Sequence, residues 1–115
     1  ILPVVAQLQG ARYRLGIISN TCQSHWEHCT RRFRIMAEAF GVCALSYEVH
    51  AAKPDRAIYQ AAVELAGVAP QEILFIDDRA ENVVAGRAAG LDAVRYTSTP
   101  QLVSELRTRR MRFNY

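Results

Sequence analysis

Four short apolar runs, separated by amphipathic stretches and stopped by turn-forming residues, constrain this chain more than any other feature. They are Tyr13–Ser19, Val42–Ser46, Ile73–Ile76 and Asp92–Arg95. Ile73–Ile76, four large apolar residues in a row, is the clearest strand and Val42–Ser46 reads as a short buried one, while Tyr13–Ser19 rests on Leu15, Ile17 and Ile18 between turn residues and Asp92–Arg95 reads as the last strand. The stretches between them carry helix punctuation. Pro3–Gln9 has Pro near its start and Gly10 beyond its end. Ser24 is placed to cap a helix running to about Phe40, with Gly41 as its stop. Pro54 opens a helix at its first turn that runs to Ala66 before Gly67, Asp78 or Arg79 leads into one ending before Gly90, and a last helix covers Pro100 to Arg110. The order predicted is α-β-α-β-α-β-α-β-α. Right-handed crossovers between parallel strands then place helices on both faces, so the expected fold class is α/β, a doubly wound parallel sheet in one domain spanning 1–115.

Composition narrows the function classes. A chain of 115 residues, 50% hydrophobic and 22% charged, builds one core and is not disordered. No apolar run is long enough to span a bilayer and no signal segment is visible, so a cytoplasmic protein is expected. The net charge of +3 gathers partly at Arg107, Arg109, Arg110 and Arg112, which read as the solvated face of a last helix rather than a nucleic-acid or membrane contact. Cys22, Cys29 and Cys43 are odd in number and form no CxxC pair, which favours a reducing compartment. Cys22, His25 and Cys29 share a helical face if the helix begins early enough, but no fourth zinc ligand is evident, so small buried thiols near the helix start are the preferred reading. Trp26, His28 and Phe33 are expected on the buried or cap-facing side of that helix, and for His25 and Trp26 packing is the default reading, with the site mouth as the alternative.

The chemistry is expected where strands end, because ligands of open parallel sheets bind outside the carboxyl ends of the strands. Three polar clusters fall there: Ser19-Asn20-Thr21, Lys53-Pro54, and Asp77-Asp78 with Asn82 one helical turn on. A hydroxyl beside backbone N–H groups at a strand-to-helix turn holds phosphate oxygens. A lysine is a point charge against a phosphate dianion. Paired aspartates supply oxygen ligands for Mg²⁺, which takes carboxylates, waters and substrate phosphate. Taken singly, Ser19 and Thr21 read as helix caps and Lys53 as a loop lysine. Two adjacent aspartates after a buried strand repel one another unless a cation is shared. The set describes a site that positions and neutralises a transferring phosphoryl group.

The order and spacing of these clusters resemble the haloacid dehalogenase (HAD) superfamily over nearly the whole chain. "LGIISNT" resembles the second family motif, "AAKPDRAIYQAAVELAG" the third, and "ILFIDDRAENVVAGRAAGLDAV" the fourth in its DDxxxN form. The resemblance implies a Rossmann-like core and Mg²⁺-dependent attack by an aspartate on a small phosphorylated metabolite, through an aspartyl-phosphate intermediate. It implies phosphoryl binding by Ser19 and Asn20, catalysis by Lys53 paired with the aspartyl phosphate, and metal binding by Asp78, with Asp77 a weaker ligand or its partner. "SNTCQSHWEH" with "DDRAEN" resembles the sugar-phosphate phosphatases and the phosphatase domain of soluble epoxide hydrolases. The dehalogenating branch typically lacks the paired aspartates, so 2-haloacid dehalogenation is the alternative and phosphatase the preferred reading.

One family element is missing. The first motif, DxDxT or a relative, supplies nucleophile and general acid, and none of the four aspartates, Asp55, Asp77, Asp78 and Asp92, stands in that pattern. The chain is therefore expected to be truncated, an incomplete HAD-like core lacking the first strand and the cap, inactive alone, and completed by a missing N-terminal segment or a second copy seated between the strands that bear Ser19 and Asp78. Three further readings compete: a degenerate phosphate-binding module, a receiver domain, and a purely structural domain with a basic tail. A receiver places its acidic pair first and its lysine last, unlike this order.

Overall fold

The structure, a computed structural model, describes residues 2–34 and 38–111. Four parallel strands form two pairs. β1 (Gly16–Ser19) lies beside β2 (Val42–Leu45), with Gly16 opposite Val42 and Ser19 opposite Leu45. β3 (Leu74–Asp77) lies beside β4 (Asp92–Arg95), with Leu74 opposite Asp92 and Asp77 opposite Arg95. Among the described residues no ladder joins the two pairs, so the sheet stands in two halves.

Helices cover both faces, as the crossover rule requires. On one face α1 (Leu2–Gly10) and the last helix, α6 (Thr99–Thr108), bury Val4, Leu8, Leu102, Val103 and Leu106 together, against Leu15, Leu74 and Ile76 of the sheet. On the other, α4 (Arg56–Ala66) and α5 (Ala80–Ala88) bury Ile58, Tyr59, Ala62 and Val83 against Ala44, Phe75 and Ala93. The alternation along β3 decides which side chain faces which layer. Phe75 and Asp77 point toward α4 and α5, while Leu74 and Ile76 point toward α1 and α6.

Two glycines permit close geometry. A Cβ on Gly86 would lie 2.7 Å from the Phe75 ring, so its absence lets α5 rest directly on β3. Gly67 ends α4 in the left-handed region at φ 68, its N–H returning to the Val63 carbonyl at 3.0 Å.

Several sequence expectations shift. Ser24 is not the cap of its helix: α2 (Gln23–Arg32) is preceded by Cys22 at the N-cap, and Ser24 lies inside the first turn. The cause is a long-range contact, since Thr21 is pinned to Ser46 and the chain enters the helix earlier. α2 ends at Arg32, with Phe33 extended, and residues 35–37 of the longer helix expected there lie outside the described residues. No residue of α2 is buried, so Trp26 and His28 are not core residues, and Phe33 beyond it is exposed. Ser46 does not close a strand but opens a short helix, α3 (Ser46–Val49). α4 starts at Arg56 behind Asp55, after a cis Lys53-Pro54 bond, not at Pro54. A 3₁₀ turn, Pro70–Glu72, was also unforeseen. Among the described residues no helix is long and apolar enough to cross a membrane. The basic cluster is partly neutralised, since Arg109 pairs with Asp92 and Glu105, and Arg112 lies outside the described residues.

Candidate functional site

Each of the three polar clusters is delivered by a strand end or the loop leading into a helix. β1 ends in Ser19 and continues to Asn20, β3 ends in Asp77 and continues to Asp78, and Lys53 sits in the loop after α3. The structure brings them together. Ser19, Asn20, Lys53, Asp77, Asp78 and Asn82 all line one open cleft of about 290 Å³, and Arg79 and Glu81 stand with them. Neither His25 nor Trp26 lines it.

The centre of the cleft is an ion pair. Lys53 Nζ lies 2.7 Å from Asp77 Oδ2, with only 14% and 6% of the two side chains exposed. The same carboxylate accepts the Arg79 backbone N–H on Oδ1 at 2.9 Å and the Asn82 amide on Oδ2 at 3.3 Å. Burial pushes the Asp77 carboxyl up, but the Lys53 hydrogen bond, the Arg79 N–H, the charge of Lys53 and the Asn82 amide outweigh it and hold the carboxyl below its ordinary value. Asp77 is thus an anion fully engaged by the protein.

Asp78 is its opposite. It is exposed on the cleft, and its carboxylate has no hydrogen-bond or ion-pair partner among the described residues. Only its backbone is tied, its carbonyl accepting from Arg95 Nε at 3.1 Å. One aspartate therefore orients the lysine and the other offers open oxygens. The division follows from strand geometry, because neighbours at a strand end project to opposite sides. Tyr59, wholly buried in α4, donates its hydroxyl to the Asn82 carbonyl at 3.1 Å and ties the first turn of α5 to the neighbouring helix. Burial and the nearby Asp77 charge push that phenol up to about 12.

Sequence reasoning missed three features. The Asn20 side chain meets the backbone of Lys53, with Oδ1 accepting Lys53 N–H at 2.7 Å and Nδ2 donating to the Lys53 carbonyl at 3.0 Å. Thr21 N–H donates to Ser46 Oγ at 2.8 Å, and the Ser46 hydroxyl donates to the Thr21 carbonyl at 2.9 Å. Arg79 and Glu81 form an exposed ion pair at the cleft. The first two span more than twenty residues, so no local pattern announces them. The third was legible in "DDRAEN", where an acid follows a base two positions on.

A zinc site at Cys22, His25 and Cys29 is not formed. Among the described residues no three His, Cys, Asp or Glu side chains are grouped to hold a metal. Cys29 Sγ lies 3.5 Å from His25 Nε2, while Cys22, outside the helix, turns to Ser24 Oγ at 3.5 Å. The Cys22 thiol is held below its ordinary value by the Ser24 hydroxyl and the His25 N–H.

A parallel α/β sheet with a hydroxyl, an ammonium and carboxylates gathered at one rim, beyond the C-terminal ends of its strands, has the layout of a Rossmann-like core with its ligand site there. Residues 1–90 match the family model of the haloacid dehalogenase-like hydrolases, and the chain belongs to that family. Solved structures agree in fold. A HAD family enzyme from Bacteroides thetaiotaomicron, in complex with magnesium and inorganic phosphate, is 29% identical with a TM-score of 0.74, over 85% of this chain and 52% of that one. A protein from Corynebacterium glutamicum described as uncharacterized has a TM-score of 0.78 at 20% identity, over 98% of this chain and 82% of that one. A dehalogenase with its intermediate complex has a TM-score of 0.76 at 24% identity, over 84% and 42%. The chain thus spans about half the length of the Bacteroides enzyme it matches.

Proposed function

We propose that this chain is the phosphate- and cation-binding part of a Mg²⁺-dependent phosphomonoester hydrolase acting on a small phosphorylated metabolite. The observation that carries the reading is the convergence of Ser19, Lys53 and Asp78, from three separate stretches, on one cleft. Ser19 and the backbone of Asn20 would hold phosphoryl oxygens. The Lys53 ammonium, already aligned by Asp77, would face the phosphate and the attacking carboxylate. Asp78 would hold the cation, since its oxygens are the open ones, and Mg²⁺ requires only one or two protein carboxylates beside waters and phosphate. The ion supplies charge neutralisation for the transferring group. Asp77 fits better as the partner that aims Lys53, because both its oxygens already accept hydrogen bonds.

The attacking carboxylate is not among these strand-end residues. We place it on a further strand seated between β1 and β3, from a segment outside these residues or from a second copy, and reaction would proceed through its aspartyl phosphate. The pairing supports this, since β1 and β3 end at the same cleft yet share no ladder. The open Asp78 carboxylate favours a metal-assisted phosphatase over a dehalogenase, which has no use for a cation ligand.

The test is a titration of the ¹⁵N-labelled chain with inorganic phosphate, with and without Mg²⁺. Saturable shifts are expected at Ser19, Lys53 and Asp78, with the Mg²⁺-dependent part abolished by Asp78→Ala. The chain alone should show no phosphatase turnover. Absence of any response at those positions at millimolar phosphate would sink the reading.

A further inference from the structure

The Asn20 side chain has a role distinct from holding phosphate. A carboxamide presents one acceptor and one donor in a plane, as a peptide edge does. Asn20 uses both on one residue, taking the Lys53 N–H at 2.7 Å and giving to the Lys53 carbonyl at 3.0 Å, as a neighbouring strand would. Aspartate lacks the donor, and serine or alanine cannot span both groups.

Two observations show where this clasp acts. The loop carrying Asn20 does not depend on it, because Thr21 is already pinned by two hydrogen bonds with Ser46. Lys53 does depend on it, since its backbone N–H and carbonyl meet the Asn20 carboxamide while its side chain runs on to Asp77. The chain of contacts from Asn20 through Lys53 to Asp77 and Asn82 therefore links the end of β1 to the end of β3, two strands that no ladder joins.

We infer that Asn20 is a positioning residue: its side chain acts on the phosphate site through Lys53, by clamping both backbone groups of that lysine so that the ammonium is aimed into the cleft. The functional half of this inference rests on the phosphate-site reading above, while the clasp itself does not.

The experiment has two arms on the same chain. In the first, hydrogen exchange of the Lys53 amide is compared in the native chain, Asn20→Asp and Asn20→Ala. Loss of the clasp should speed that amide by about tenfold in Asn20→Ala, and by less in Asn20→Asp, with the core amides of Ala62 and Phe75 unchanged. In the second, affinity for inorganic phosphate is measured for Asn20→Ala, Lys53→Met and the double variant. A positioning role predicts non-additivity, with Asn20→Ala adding little once Lys53 is gone. Fully additive losses, or a Lys53 amide that exchanges no faster in Asn20→Ala, would overturn the inference. If the native chain binds no phosphate, the proposed function fails, and the exchange arm still decides the clasp.

Discussion

Two ion pairs in this molecule have the same length and opposite characters. Lys53 to Asp77 and Arg109 to Asp92 both measure 2.7 Å. The first has 14% and 6% of its side chains exposed, the second 26% and 44%. At Asp77, burial acts first and pushes the carboxyl up, and the hydrogen bonds must overcome it. At Asp92, the Arg109 hydrogen bond acts first and burial is the smaller opposing effect. The Arg109 guanidinium engages Asp92 through Nε and Nη2 and Glu105 through Nη1, which ties the end of α6 to β4. Distance alone therefore says little about what a pair is worth. A desolvated pair makes each partner a liability without the other, whereas a solvated one is a clip whose loss water repairs.

The largest effect expected from this comparison is at Lys53. Lys53→Met strands the Asp77 carboxylate in a buried site and should cost roughly 3 kcal/mol in denaturant unfolding. A cost below 1 kcal/mol would erase the distinction between the pairs. The second expectation sharpens the mechanism: removing both charges in Lys53→Met with Asp77→Leu should recover most of that loss, because the penalty belongs to the unpaired charge rather than to the missing attraction. If the double variant is no more stable than Lys53→Met, the pair contributes through attraction instead. Third, Arg109→Met should cost only about 1 kcal/mol or less, and the loss should shrink as salt is raised.

The smallest effect lies in pH. The folded Asp92 carboxyl is held below its ordinary value, so its contribution to stability is present above the unfolded carboxylate value and is lost as pH falls through the folded one. The window lies below about pH 4. Thermal melts from neutral pH downward should show a steeper acid loss in the native chain than in Arg109→Met, and parallel curves would remove the clip from the account.

Much of this was legible before any coordinates. The four strands are local patterns of apolar residues bounded by turn signals, and Asp92–Arg95 forms the strand its residues predict. The polar clusters that end β1 and β3 were legible for the same reason, whereas Lys53 lies beyond α3 and reaches the cleft through its contacts with Asn20 and Asp77. Helix starts were less so. Ser24 has the chemistry of a cap and lost the position because Ser46, twenty-five residues from Thr21, pins the chain so that the helix is capped two residues earlier, at Cys22. Trp26, His28 and Phe33 read as a buried or cap-facing side, and none of them is fully buried: Trp26 is half-buried, and His28 and Phe33 are exposed.

The sequence by itself determined which segments become strands and which residues stand at their C-terminal ends, and hence that the Ser19 hydroxyl and the aspartates would share one rim; the Lys53 ammonium joins them through contacts across the fold. Tertiary structure alone decided the roles within that rim. Asp77 and Asp78 are the same residue type at adjacent positions; strand alternation turns them to opposite sides, and the packing of α4 and α5 over one of those sides buries the first against Lys53 and leaves the second open. Periodicity reports local direction, but which carboxylate the chain's one lysine, Lys53, meets is set by contacts across the fold.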